Sequence, residues 1–240
     1  MITITQTHID KIHTLLDAGL VAGLGNPAPG EMCVEAAICY ALDLPHGDDP
    51  GCVLASLRGL KITLNDSDWP SNKARADGMR RLAIAQLGSL GTVDEAEFIK
   101  RLTRMTIQTV IPQAFRAAAK RMVGMNRDLL LHHAMACENE PTAENADAAE
   151  AVAHAAYASA YAYANHCYVA HASASASASA SASDSRLAAC NVAAAAYYAA
   201  LLAADFDASL AGFAERVVQI LIEMDAPGCE WLLNTKEQPT

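Results

Sequence analysis

From Ala172 to Ser183 alanine and serine alternate without interruption, inside a segment, residues 143–204, that is dominated by alanine. A stretch like this has few ways to fold. Strict alternation is the strand template, with alanine on one face and serine on the other, as in silk-like sheets. Alanine is also the strongest helix former, however, and serine is only slightly poorer. The flanks read as helix as well, so helix is expected through the repeat. Alanine buries little area per side chain. The hydrophobic fraction of 52% therefore overstates the core, and aromatics make up only 5% of the chain. Helices packed closely through small side chains are the natural solution. The expected fold is all-α, with a compact helical module over residues 1–140 followed by long Ala-rich helices over 141–240.

Charge places the same boundary near Pro141. Of the net −10, residues 1–140 carry −2 (14 Lys and Arg against 16 Asp and Glu), and residues 141–240 carry −8 (3 against 11). No window supplies the run of strongly apolar residues that a membrane span needs, so no membrane partner is expected. The opening Met1-Ile-Thr-Ile-Thr lacks the basic and apolar regions of a secretory signal, which points to the cytoplasm. Seven cysteines scattered along the chain then read as small buried hydrophobes rather than a disulfide framework.

Helix signals recur along the head. Thr7 with Asp10 resembles a capping box; Ile9, Ile12, Leu15 and Leu16 follow at helical spacing, and Gly19 suits the C′ position. Gly23–Gly30 is a loop by composition, and a short helix is expected over Glu31–Leu42. Leu44–Gly51 is a second loop. Val53, Leu54, Leu57 and Leu60 mark another helix, with Lys61–Leu64 as a brief extended piece. Ser71 opens a helix that Gly88 ends. Thr92 with Glu95 starts one that Pro112 must kink or restart, since proline has no N–H and crowds the preceding turn. A further helix spans Arg127–Cys137. Beyond the repeat, Ser183-Asp184 is a restart cap, and Asp207 caps a final amphipathic helix through Phe213, Val217 and Leu221.

Four sets of residues carry possible chemistry. Cys33 sits at the first turn of a predicted helix, where the macrodipole favours a thiolate nucleophile. Papain-like and transglutaminase-like hydrolases place a nucleophile this way, and His46 is the nearest candidate base. Glu31 and Glu35 flank the thiol and oppose its ionisation. His46-Gly-Asp48-Asp49 gathers an imidazole and two carboxylates, equally a turn with a helix cap. Cys167 and His171 share a helix face, with His166 beside it, but no second pair completes a structural zinc site; no metal and no cofactor are expected. The segment 100–127 carries Arg101, Arg104, Arg116, Lys120 and Arg121 with no acidic residue. It suits an anion, or the chain's own acidic tail. The overall negative charge argues against nucleic acid. Tyr157, Tyr161 and Tyr168 form one helical stripe on the alanine background and are the expected self-association knobs.

The stretch Gly23-Leu-Gly-Asn-Pro-Ala-Pro-Gly-Glu-Met-Cys-Val-Glu-Ala-Ala-Ile-Cys-Tyr-Ala-Leu-Asp-Leu-Pro-His-Gly-Asp-Asp-Pro-Gly-Cys52, with Arg80–Gly88 further on, resembles a family of uncharacterised bacterial and phage-associated proteins. The resemblance covers roughly residues 8–120. It implies a recurring N-terminal module with variable Ala/Tyr-rich tails and brings no activity with it. The reading that follows is a non-enzymatic helical interaction or assembly protein whose first partner is itself. A cysteine hydrolase or transferase using Cys33 is the competing reading, and an anion or nucleic-acid binder through 100–127 is the third.

Overall fold

In the computed structural model, which describes residues 2–120, 122, 124–159 and 164–234, every regular element is a helix. The single bridge of strand type among them joins Gly25 to Met32. The fold is all-α, as the alanine content and helical periodicities lead one to expect. Among the described residues no helix is long and apolar enough to cross a membrane.

The helices gather into two units, Met1–Phe98 with Ala211–Thr240 and Ile99–Leu210. The change of composition near residue 141 therefore falls inside the second unit. The reason is packing. Alanine faces bury too little area to form a core alone, so the Ala-rich helices share one with the larger side chains of residues 107–137.

The first unit is built on α1 (Gln6–Asp17), α2 (Val34–Ala41), α3 (Ala55–Asn65) and α4 (Asn72–Ala85). Helix α1 buries Ile9, Ile12, Leu15 and Leu16, and Gly19 follows it at φ +96°. Its cap is Thr5 rather than Thr7. Thr5 and His8 form the reciprocal box, while Asp10 accepts from Gln6 at 2.9 Å. The expected extended piece at Lys61–Leu64 lies inside α3, because Leu57, Leu60 and Leu64 continue one buried helical face. Ser71 caps α4 as expected, its hydroxyl accepting from the Ala74 N–H at 3.0 Å.

Two other caps sit near, but not on, their expected positions. Asp94, not Thr92, caps α5 (Glu95–Met105) by accepting from the Glu97 N–H at 3.0 Å; Thr92 instead donates to the Gly88 carbonyl. Asp205, not Asp207, caps α11 (Phe206–Glu223), accepting from the Ala208 N–H. A 3₁₀ turn at Pro227–Cys229 and the short α12 (Glu230–Asn234) follow.

In the second unit α5 runs through a π turn, Thr106–Val110, into α6 (Ile111–Ala119). Pro112 neither breaks the helix nor leaves an orphan. The Ile111 N–H bonds the Thr106 carbonyl five residues back, and the widened turn accommodates the proline ring at the start of α6. Then come α7 (Met125–Asn139), α8 (Ala143–Ser159), α9 (Ala164–Ser181) and α10 (Ser185–Ala200).

The Ala-Ser repeat is helical over most of its length, within α9. Its period of two gives a helix no apolar stripe, so neighbouring helices decide which residues are buried. Ala172, Ser173, Ala176 and Ser179 face inward at helical spacing, while Ala178 is exposed. Inward serine needs a partner, and the Ser179 hydroxyl donates to the Ala176 carbonyl at 2.8 Å. Asp184 caps α10 at the expected restart, accepting from the Leu187 N–H at 2.8 Å.

Candidate functional site

The loop before α2 fixes where Cys33 sits. The Cys33 N–H donates to the Leu24 carbonyl at 3.2 Å and the Val21 N–H to the Met32 carbonyl at 3.0 Å. Gly25, at φ +71°, lies so close to the returning strand that a Cβ there would come 1.9 Å from the Glu31 carbonyl oxygen. Cys33 is consequently the cap of α2, and its sulfur accepts from the Ala36 N–H at 3.3 Å. The helix-start placement expected from the sequence is met. Activation of the thiol is not. Burial pushes the Cys33 pKa up; bonds from the Ala36 and Glu35 N–H groups pull it back, and the Glu35 carboxyl adds to the rise.

His46 is turned elsewhere. Its Nε2 lies 3.1 Å from the Gly25 carbonyl oxygen, and because that oxygen can only accept, Nε2 carries the proton. Among the described residues no hydrogen bond joins His46 to Cys33. Asp49 does not cap α3. It accepts from the Gly51 N–H at 3.0 Å and pairs with Arg58. The start of α3 is served from a distance, with the Leu54 N–H donating to the Ser89 hydroxyl and the Ser56 N–H to Glu95. Beside the thiol is a pocket of about 150 Å³, with Asp48, Asn65 and Asp66 in its lining. That is room for a few waters rather than for a typical small-molecule ligand.

The strongest electrostatic feature was not legible as a site. Glu35 on α2 and Lys61 on α3 are both wholly buried, Lys61 Nζ lying 3.1 Å from Glu35 Oε1. The contact is an ion pair without the alignment of a hydrogen bond, so Lys61 Nζ and Glu35 Oε1 both lack a directed partner. Gln86 donates to the other carboxylate oxygen at 3.4 Å. Burial pushes the Lys61 ammonium down and the Glu35 carboxyl up, each toward neutrality, and their mutual attraction opposes both shifts. Cys39 is pushed up to about 12, by burial first and then by the Glu35 and Asp49 carboxylates.

A second buried cation lies at the turn into α4. Arg75 donates to the carbonyls of Asn65 at 2.7 Å and Leu20 at 2.9 Å, and reaches Ser67 O at 3.5 Å and Asn72 Oδ1 at 3.2 Å. Asn65 extends this network, accepting from the Val34 N–H and donating to the Val21 carbonyl. Such an arrangement holds three helices and a loop in register. It exposes no group for chemistry.

The basic segment is partly neutralised. Arg116 makes a two-pronged pair with Glu138, its Nη2 2.6 Å from Oε2, and Arg101 is also engaged. Arg104 and Lys120 lie on the same stretch of chain, and Arg121 is outside the described residues. Of the tyrosine stripe, Tyr161 and the side chain of Tyr157 are likewise outside them. Tyr168 is used internally: it stacks on Tyr198 at 6.4 Å, and His171 stacks on the same ring at 4.9 Å. The side chains of His166 and Cys167 are not described. Among the described residues no group of His, Cys, Asp and Glu is placed to hold a metal ion.

Helix α7 exposes large apolar side chains among its polar ones. Met125 (78% exposed) and Met135 (51%) occupy the side of α7 opposite its buried Leu130, Ala134 and Cys137, and Leu129 (40%) lies at the edge of that side. Asp128 and His132 share that open side. Comparison with family models, with curated proteins and with solved structures finds no match to this chain.

Proposed function

We propose that this is a non-enzymatic helical protein that acts by protein–protein contact and associates with itself. The observation that carries the reading is the apolar stripe of α7. Isolated exposed apolar residues are ordinary, but here two methionines flank Asp128 and His132 on the open side of one helix with Leu129 at its edge, which supports reading that side as a contact surface. The buried polar groups favour it too. Lys61, Glu35, Arg75 and Gln86 are spent on holding helices, and the Cys33 thiol at the start of α2 is withdrawn from solvent and raised in pKa.

The competing role, a cysteine hydrolase using Cys33 and His46, needs an accessible thiolate and an imidazole with a free nitrogen aimed at it. Alkylation separates the two. Full-length chain treated with iodoacetamide at neutral pH and read by peptide mass spectrometry is expected to modify Cys33 far more slowly than the same chain in denaturant. Cys33 reacting in the folded protein as fast as, or faster than, in the denatured chain would reverse the assignment.

A further inference from the structure

Resting on that contact reading, we propose that the partner of the α7 face is α7 of a second copy, packed antiparallel about a two-fold axis at the height of Leu130. The pattern on the face is self-complementary in this one register. Met125 of each copy meets Met135 of the other, and Asp128 of each meets His132 of the other. A two-fold pairing makes each of these contacts twice. Parallel pairing instead sets Asp128 against Asp128. An antiparallel pairing slid by four residues sets His132 against His132 and leaves Met125 on Asn139. Of these three, the first sets Met125 on Met135 and Asp128 on His132 with no like charge or imidazole against itself, and Leu129 lies at its edge.

The neighbouring groups agree with it. Arg127, beside Asp128, lies outside the stripe and forms a loose 3.9 Å pair with that carboxylate, which is 74% exposed and open to a second partner. His133 is half-buried beside the stripe, its ring edge-on to His132 at 5.3 Å. Fifteen residues make a face only about 22 Å long. That is smaller than the roughly 800 Å² per partner of a standard interface, so the pairing is weak and concentration-dependent.

Register is tested by cross-linking full-length chains. Met125→Cys and Met135→Cys chains, mixed and oxidised at high concentration, are expected to give a 125–135 cross-linked peptide by mass spectrometry. Met125→Cys alone should give none above the native chain's background, because its two copies lie about 15 Å apart along the axis. A charge exchange adds an independent reading. Asp128→Lys is expected to abolish the dimer fraction in sedimentation, and Asp128→Lys with His132→Glu to restore it. A native chain that never leaves monomer mass removes both this inference and the self-association reading. A chain that dimerises while Met125→Cys links to itself, or while the paired exchange fails to recover the dimer, removes the α7 register alone.

Discussion

Removing one half of the Glu35–Lys61 pair should harm the protein far more than removing both. Each side chain is fully buried, and the two charges stand 3.1 Å apart with Gln86 donating to the carboxylate at 3.4 Å. Lys61→Met leaves Glu35 as a buried carboxyl without its counter-charge, which costs about 3–5 kcal/mol. At about 2–4 °C per kcal/mol for a chain of this size, the melting point falls by roughly 6–20 °C. In Glu35→Met/Lys61→Met both charges go and two apolar side chains of similar volume take their place, so stability stays within about 1 kcal/mol of the native chain or rises. Both tryptophans, Trp69 and Trp231, belong to the same unit as the pair, so thermal unfolding followed by tryptophan emission reads the right transition.

The pH dependence has a definite sign. Without Lys61, burial holds the Glu35 pKa above its ordinary 4.5, so the folded state binds the proton more tightly than the unfolded state. The stability of Lys61→Met is therefore greatest below pH 4.5 as far as this group is concerned. It falls as pH rises through the raised folded value, by up to about 1.4 kcal/mol per pH unit. A single change costing less than about 1 kcal/mol, or a double change costing as much as the two singles together, would refute the assignment of a buried, mutually dependent pair.

Three further changes probe the framework. Ala176→Leu, at a fully buried position of the repeat, is expected to cost about 1–3 kcal/mol, while Ala178→Leu two residues on stays within about 0.5 kcal/mol; equal effects in thermal unfolding would contradict a helical repeat with one buried side. Gly25→Ala places a Cβ against the Glu31 carbonyl at positive φ and should destabilise by about 2 kcal/mol or more, read by chemical denaturation. Arg75→Met leaves the Asn65 and Leu20 carbonyls without their charged donor and should cost about 3 kcal/mol or more, with Arg75→Lys recovering little because it lacks the planar fork; full recovery by lysine, again in denaturation, would show that charge alone suffices.

Much of the architecture is readable from residue spacing, and the misses have physical causes. Ile9, Ile12, Leu15 and Leu16 announce α1 because a buried helical face repeats every three to four residues. The caps at Thr5, Asp94 and Asp205 lie within two residues of the expected ones, since several adjacent side chains have the chemistry to cap and only packing selects among them. The fate of the Ala-Ser repeat was set by alanine's helix preference, but which serines face inward depends on neighbours far away in sequence. Lys61 did carry a signal: it falls between Leu57, Leu60 and Leu64 on an apolar helical face, where a charge must have a partner. The same reasoning applies to Glu35 within Val34–Ile38. That the two meet is a tertiary fact. The α7 side chains Met125, Leu129 and Met135 carry no exposure signal in the sequence, because which side of α7 is buried is set by its packing partners.

Self-association of the native, full-length chain is the central claim, and its most direct test is solution mass by light scattering from micromolar to millimolar concentration. The expected mass climbs from 25.3 kDa toward about twice that value as concentration rises, while the Met135→Lys chain remains at the lower figure. A native chain fixed at 25.3 kDa across the whole range would contradict it.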